Sequence, residues 1–381
     1  MYRIGSFNCH NMGGKTTGAK IDKIVQIIKK EQFDIIALQE VFCPFLSANG
    51  GVITADDRQY PLSDILKKLK EVNKNWMGYF AAPEQVRDAK EGYVFIWNNN
   101  RVHLPKVKLS DGTERVFYPR IYNQYKLAET KKHILGKDKE GKLKIGGLIR
   151  NPLYARFVPN GQEKMEFRLI NTHIRFSQNK NLDSDNTDAE KVSLGDIAMR
   201  RNEYNVLTDN IYPKIATQIY GSQDAGGLGS FFTIMIGDYN LNLDRPWTKG
   251  LPHIPDSRNE ISIVRSLKKW TVNEKMQLVT FQEGLTTLKR ITPENEKNYY
   301  KEQKYSNNFD HSTYDINRFN RKGIKVVTKK IDAVRKYNNN DFADYRKNIS
   351  DHIPICLEFE NNSNEIWVCQ NKMIDDKKHN D

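Results

Sequence analysis

Six places in this chain put a chemically able polar residue at the border of a short apolar run. Tyr2-Arg-Ile-Gly-Ser-Phe closes on Asn8, and Ile35-Ile-Ala-Leu-Gln closes on Glu40. Leu169-Ile-Asn-Thr closes on His173, and Ile234-Met-Ile-Gly leads to Asp238 and Asn240. Asn308-Phe309 leads to Asp310 and His311, and Asp351-His352 opens Ile353-Pro-Ile. Short apolar runs bounded by turn residues read as buried strands. The ends of such strands are where a rigid scaffold presents functional groups. Taken singly, Gly-Asp-x-Asn is an ordinary turn, Ser-Asp-His a cap, and Glu40 a solvated charge. Taken together, carboxylates and amides at several strand ends are hard oxygen ligands suited to Mg²⁺, Mn²⁺ or Ca²⁺.

Between these runs the period changes. Ile21, Ile24, Val25 and Ile28 define one face of a helix over 18–31. Ile65, Leu66, Leu69 and Val72 do the same over 63–73, with Ser63 as its N-cap. A third helix is expected over 188–211, opened by a capping box of Thr187 and Glu190. Further strands are expected at 93–97, 153–158, 167–171, 231–236, 324–328 and 353–359. Residues 105–148 read as a surface excursion, and 241–305, with four prolines, carry no strong strand signal. No repeat or low-complexity linker divides the 381 residues. The expectation is one mixed α/β domain over 1–360, with insertions near 101–148 and 241–305 and a polar tail at 361–381.

Composition removes several classes. Hydrophobic residues are 38% and aromatic ones 10%, enough for a core. No apolar run approaches the ~18–20 residues that cross a bilayer as a helix. Cys9, Cys43, Cys356 and Cys369 are too few and too scattered for a disulfide framework or a zinc site, and Cys9 and Cys356 read as buried thiols. Arg3 runs into a strand rather than a long apolar segment, so no signal peptide is read, and the expectation is a cytoplasmic protein or a mature secreted chain. Sixty Lys and Arg against forty-seven Asp and Glu give a net charge of +13. Residues 101–150 hold thirteen basic against five acidic side chains, and 318–347 hold ten against three. Such concentration favours a polyanionic partner and places the second stretch near the cleft.

The ordered set Ser6-Phe-Asn8, Leu38-Gln-Glu40, Asn171-Thr-His173, Gly237-Asp-Tyr-Asn240, Phe309-Asp310 and Ser350-Asp-His352 resembles the endonuclease/exonuclease/phosphatase superfamily. The resemblance spans residues 6–352. It implies a four-layer α/β sandwich, two packed mixed β-sheets flanked by helices, with the site where strand ends converge. Within the superfamily the chain looks most like deoxyribonuclease I. Lys90-Glu91-Gly92-Tyr93 is similar to the segment whose Glu orients a catalytic His, and Ile149-Arg150-Asn151-Pro152 to the strand whose Arg contacts phosphate. The resemblance implies a Mg²⁺-dependent endonuclease acting on DNA. Glu40, Asn8 and Asp351 would hold metal, and His352 would be oriented by Asp310. His173 would pair with Glu91, Asp238 would position water or metal, and Asn240 and Arg150 would bind phosphate. Which His is base and which acid stays open at this level. Phe42 and Ala89 stand where the family's minor-groove Arg and Tyr would be, so duplex reading would differ.

Two other readings follow from the same motifs. One is a lipid phosphodiesterase or phosphatase of the sphingomyelinase kind, but the insertions are rich in Lys and Asn rather than Trp and Leu. The other is a non-catalytic nucleic-acid-binding protein of the same fold, yet every expected catalytic group is present.

Overall fold

The computed structural model describes residues 1–43, 46, 50–55, 61–83, 91–108, 111–123, 134–137, 143–145, 148–162, 165–176, 197–218, 230–241, 260–265, 276–281, 285–292 and 304–361. Early strands are β1 (Tyr2–Met12), β2 (Ile35–Phe42), β3 (Gly51–Val52), β4 (Trp76–Ala81), β5 (Glu91–Asn98) and β6 (Val102–His103). β7 (Lys106–Lys108) and β8 (Glu114–Val116) form a small ribbon, β9 (Arg120–Ile121) follows, and β10 (Ile134–Lys137) and β11 (Leu143–Ile145) form another. Next come β12 (Leu153–Pro159), β13 (Met165–His173), β14 (Ser230–Asp238) and β15 (Glu260–Arg265). β16 (Met276–Phe281), β17 (Asp310–Asp315), β18 (Ile324–Lys330) and β19 (Ile355–Asn361) complete the strands. The longer helices are α1 (Gly18–Lys30), α2 (Leu62–Lys70) and α3 (Ile197–Val206), the last running through a π turn at Leu207–Ile211 into α4 (Tyr212–Thr217). Short helices α5 (Ile316–Arg321), α6 (Ala333–Tyr337) and α7 (Phe342–Asn348) flank the late strands.

One sheet has the order β18-β19-β1-β2-β5-β4-β3, and the other follows β15-β16-β17-β14-β13-β12-β6 with β9 beside β12. Both are mixed, because β1 pairs parallel with β2 and β13 with β14 among antiparallel neighbours. A parallel pair needs a long crossover, and α1 supplies the one between β1 and β2. Thr17 caps that helix by accepting from the Lys20 N–H at 3.3 Å. Its buried face is the expected Ile21, Ile24, Val25 and Ile28.

Alternation along the strands makes the layers. Tyr2 and Ile4 of β1 face the second sheet, whereas Phe7 and Cys9 face α1 and α2. Phe157 of β12 meets Phe95 and Trp97 of β5 edge to face, at centroid distances of 5.7 and 5.5 Å. Each such pair adds about 0.5–1.5 kcal/mol beyond the area buried. Outside the second sheet, Tyr154, Ile170 and Met235 pack under Leu207, Ile211 and Tyr212. The result is the expected four-layer α/β sandwich: helix, sheet, sheet, helix.

Several expectations are corrected. Pro61, not Ser63, precedes α2, and Ser63 is buried within the helix. Proline presets the first turn and gives up an N–H that the helix would leave unpaired there. Val72 lies beyond α2 and is 65% exposed. The 241–305 stretch contributes two strands, β15 and β16, that extend the second sheet from β17. Both alternate polar and apolar residues, the period of a strand with one covered face, and so lack the continuous apolar run that marks the central strands. Within the excursion, β9 also joins that sheet. The third helix continues past 211 to Thr217, while Thr187, Glu190 and residues 188–196 lie outside the described residues. Cys9, Cys43 and Cys356 are buried, and Cys369 and the tail beyond 361 lie outside the described residues. No helix among the described residues is long and apolar enough to cross a membrane.

Gly237 of β14 stands opposite Thr172 of β13. Its φ is +147°, and a Cβ there would sit 1.9 Å from the Thr172 carbonyl oxygen. Gly237→Ala is expected to destabilise the protein by about 3 kcal/mol or more. A urea titration checks this, and an unchanged midpoint would contradict it.

Candidate active site

The inner faces of both sheets change character at one end. Stepping two residues at a time, β1 goes from Ile4 through Ser6 to Asn8, and β2 from Ile35 through Ala37 to Gln39. β5 goes from Phe95 through Tyr93 to Glu91, and β13 from Leu169 through Asn171 to His173. β14 goes from Ile236 to Asp238, and β17 from Tyr314 through Ser312 to Asp310. The apolar members of these series belong to one core between the sheets. Of their polar continuations, Glu91, His173 and Asp238 line a cleft of about 550 Å³, and Asn8 and Asp310 bond to the lining residues Asp238 and His352 from behind.

A layer of amides separates core from cleft. Gln39 Nε2 donates to Asn171 Oδ1 at 2.7 Å, and Asn171 Nδ2 donates to the carbonyls of Leu38 and Val94 at 3.1 and 3.2 Å. Asn8 is fully buried, and its Nδ2 bonds Glu40 at 3.0 Å and Asp238 at 2.9 Å. Asn8 Oδ1 accepts from the His10 N–H.

Glu40 reaches the cleft by a different route. Strict alternation would place it with Ile36 and Leu38, under the helices. A bulge shifts the β2–β5 register between Leu38 and Val41, and Glu40 takes a φ of +55°. Bulges beside active sites re-aim side chains in this way. The turned carboxylate is held by Asn8 and by the Asn11 N–H at 3.0 Å.

Two imidazoles face each other across Asp238. His173 Nδ1 lies 2.6 Å from Glu91, and its Nε2 lies 3.5 Å from Asp238 Oδ2 and 3.8 Å from Glu40. His352 Nδ1 lies 2.8 Å from Asp310 Oδ2, and its Nε2 lies 3.6 Å from the same Asp238 oxygen. Each Nδ1 proton is thus committed to a carboxylate, which turns each Nε2 toward the same point. Burial pushes His352 down, but Asp310 and Asp238 outweigh it and hold the ring well above the usual imidazole range. For His173, burial and the Arg150 charge push down, and Glu91 and Asp238 carry the net shift upward. Burial opposes ionisation of Glu91, yet His173 and Arg150 bring its carboxyl below the usual range. Asp238 is pushed up to about 6 by burial, against the pull of the two imidazoles.

The other expected residues divide by environment. Arg150 bonds Glu91 at 2.6 Å and lies against the His173 ring, 2.8 Å from Nδ1. Asn240, at φ +51°, donates its N–H to Asp238 and its Nδ2 to the Ile174 carbonyl. Asp351 lines the same cleft, 4.0 Å from His352 Nε2, 3.6 Å from His10 and 3.5 Å from Arg346. His311 is fully buried and bonds the Leu241 carbonyl, away from the cleft. Phe42 pairs in register with Glu91, and Ala89 lies outside the described residues.

Sequence reasoning missed the hydroxyls that fix these loops. Ser350 Oγ donates to the Asn8 carbonyl and accepts from the His352 N–H. Thr286 Oγ1 accepts from the N–H groups of Phe309 and Asp310. The Ser-x-His spacing was a usable signal for the first, whereas nothing local marks Thr286. Sequence reasoning also missed Arg290 and Arg346 on the cleft wall. The basic stretch 318–347 is largely spent elsewhere: Lys329 pairs with Glu358, Lys336 with Glu31, and Arg335 with Asp332.

The donor set fits a divalent cation. Glu40, His173 and Asp238 each offer an atom within 4.8 Å of the others, as do Asp238, Asp310 and His352. Two carboxylates from different sheets converge at Asn8, and charge held there is costly unless a cation shares it.

No family model and no curated protein matches this chain. Solved structures with a similar fold include an endonuclease/exonuclease/phosphatase protein from Bacteroides vulgatus (12% identity, TM-score 0.46), with 94% of this chain and 98% of that one covered. D. rerio TDP2 complexed with a single-strand DNA product is similar at 13% identity and TM-score 0.47, over 94% and 98% of the two chains. A mannosyl-6-phosphatase from Bacteroides thetaiotaomicron is similar at 12% identity and TM-score 0.43, over 94% and 100%.

The raised His352 titration depends on Asp310 more than on any other charge. Asp310→Asn is therefore expected to move it downward, because the neutral amide no longer favours the imidazolium. Ring-nitrogen NMR across pH 4–10 checks this (about the range in which His titrates). A titration that stays in place would assign the shift to another group.

Proposed function

We propose that the chain is a divalent-metal-dependent phosphodiesterase that hydrolyses DNA as an endonuclease. One observation carries the chemistry: two carboxylate-oriented imidazoles aim their Nε2 atoms at one Asp238 oxygen, from 3.5 and 3.6 Å. Hydrolysis of a diester needs a proton removed from water and one given to the departing alkoxide. His352, backed by Asp310, is placed to take the first through Nε2. His173, backed by Glu91, is placed to give the second through its own Nε2. Water adds to phosphorus, the bond to the leaving oxygen breaks, and the two imidazoles exchange protonation states.

Glu40 and Asp238 would hold the metal, with Asn8 fixing both carboxylates. A divalent cation bound there supplies Lewis-acid polarisation of a phosphate oxygen and offsets the charges that raise both imidazoles. Arg150 offers charge-assisted bonds to the phosphate, and Asn240 steadies Asp238 through its N–H. DNA as the substrate is supported by the net charge of +13 and by Arg150, Arg290 and Arg346 lining one cleft.

Purified protein is to be incubated with supercoiled plasmid, RNA, sphingomyelin and a sugar phosphate, with Mg²⁺ or with EDTA. Nicking of plasmid that EDTA abolishes is the expected result, and turnover of sphingomyelin or sugar phosphate alone would overturn the DNA assignment. His352→Ala and Glu40→Ala are each expected to lower turnover by at least ~10²-fold with an unchanged circular-dichroism spectrum. If either keeps near-native turnover, that residue has no part in the chemistry.

Glu91 and His173 are expected to act as one unit. In a cycle of Glu91→Gln and His173→Ala, Glu91→Gln should cost little once His173→Ala has been made. Additive losses in kcat/KM would separate them.

A further inference from the structure

Glu203 takes no part in the chemistry above, yet it is only 1% exposed and lies beside the cleft. It sits on α3, whose next residue, Tyr204, bonds Thr280 of the second sheet through its hydroxyl at 2.7 Å. Glu203 Oε2 accepts from the Ile149 N–H at 3.1 Å, while Oε1 has no hydrogen-bond partner. Residues 149–152 have no regular secondary structure and lie just before β12. Their backbone position therefore depends on such individual bonds. Arg150, next in the chain, reaches from this segment to Glu91 and the His173 ring.

We propose that Glu203 is a positioning residue: its carboxyl fixes the backbone at Ile149 and so sets where the Arg150 guanidinium meets a phosphate group. The inference rests on the reading of Arg150 as a phosphate ligand. Arg150 is then held at both ends, by Glu203 at the main chain and by Glu91 at the tip. Burial pushes the Glu203 carboxyl up to about 7, against the pull of the Ile149 N–H and the Arg150 charge. A carboxyl that resists ionisation serves as a hydrogen-bond acceptor more than as a counter-ion, so it fixes Arg150 without cancelling its charge. A neutral side chain of the same shape can do the same work, since a Gln carbonyl also accepts from Ile149.

The test uses the full chain with Glu203→Gln, Glu203→Met, Arg150→Ala and the Glu203→Met/Arg150→Ala double variant. Two quantities are read: kcat/KM on bis(p-nitrophenyl) phosphate and affinity for inorganic phosphate by calorimetry. Glu203→Gln is expected within about twofold of wild type, and Glu203→Met is expected to lose about tenfold or more in both. Added to Arg150→Ala, Glu203→Met should cost almost nothing further, whereas a generally weakened fold would give additive losses. Additive losses, or a Glu203→Gln variant as impaired as Arg150→Ala, would overturn the inference while leaving Arg150 as a phosphate ligand. The Gln variant keeps the acceptor, so this second criterion holds even if Glu203→Met does not fold. An Arg150→Ala variant unchanged in both quantities would remove the reading of Arg150 itself, and the role of Glu203 with it.

Discussion

Between the two sheets, Asn171 spends its amide on carbonyls of the opposite sheet, at Leu38 and Val94, while Gln39 donates back to Asn171. Two side chains and two main-chain carbonyls, all removed from water, satisfy one another here. Such a network is worth most when complete, because each unmet group in a low-dielectric interior carries its full desolvation penalty. It fixes the separation and register of the sheets at the point where the apolar core stops. Asn8 repeats the device one step outward, tying Glu40 of its own sheet to Asp238 of the other. The positions of Asp238, His173 and His352 follow from that tie, since all three sit on strands or loops that the two sheets hold rigid.

The cost of the site is electrostatic. Asp238, Asp310, His173 and His352 are all buried, and burial opposes ionisation of Asp238 while the two imidazoles favour it. Because the folded-state value of His352 is raised above its unfolded one, its contribution to stability is full below the unfolded value of ~6.5 and is lost as pH rises through the folded value. Opposed charges of this kind gather at sites built for proton transfer. Backbone strain gathers here too: His10, Asn11, Glu40 and Asn240 all have positive φ.

Net charge proves a poorer guide than local pairing. The stretch 318–347 holds ten basic residues, yet Glu358 takes Lys329 together with Arg3, and Glu31 takes Lys336. These bonds tie β18, β19 and β1 of the first sheet to one another and α6 to the end of α1. From that stretch, Arg346 is the residue that lines the cleft, and it leans on the Lys289 carbonyl and Asp351. An unpaired sum in the sequence therefore becomes in part a set of struts.

Much of the site was legible in the sequence because its residues obey a local rule. His173 and Asp238 close their strands and Asp310 opens its own, Asn8 lies within β1, which runs on to Met12, and the two-residue alternation that buries Ile4, Leu169, Ile236 and Tyr314 carries those polar residues onto the same inner face. The chain's periodicities likewise determined α1 and most central strands. What depends on a partner was not legible. β16 pairs with β17 and β15 with β16, and no continuous apolar run announces either. Glu40 lies on the wrong parity for the cleft, and only the bulge and its positive φ turn it inward. Asp351 meets His10 and Arg346 as well as the His352 ring, and Glu203 meets Ile149 across 54 residues of sequence. A strand's period is written in its own residues. The direction of a bulge, the pairing of a charge and the anchor of a loop depend on which distant groups the two sheets bring within a few ångströms, and the tertiary structure alone decides them.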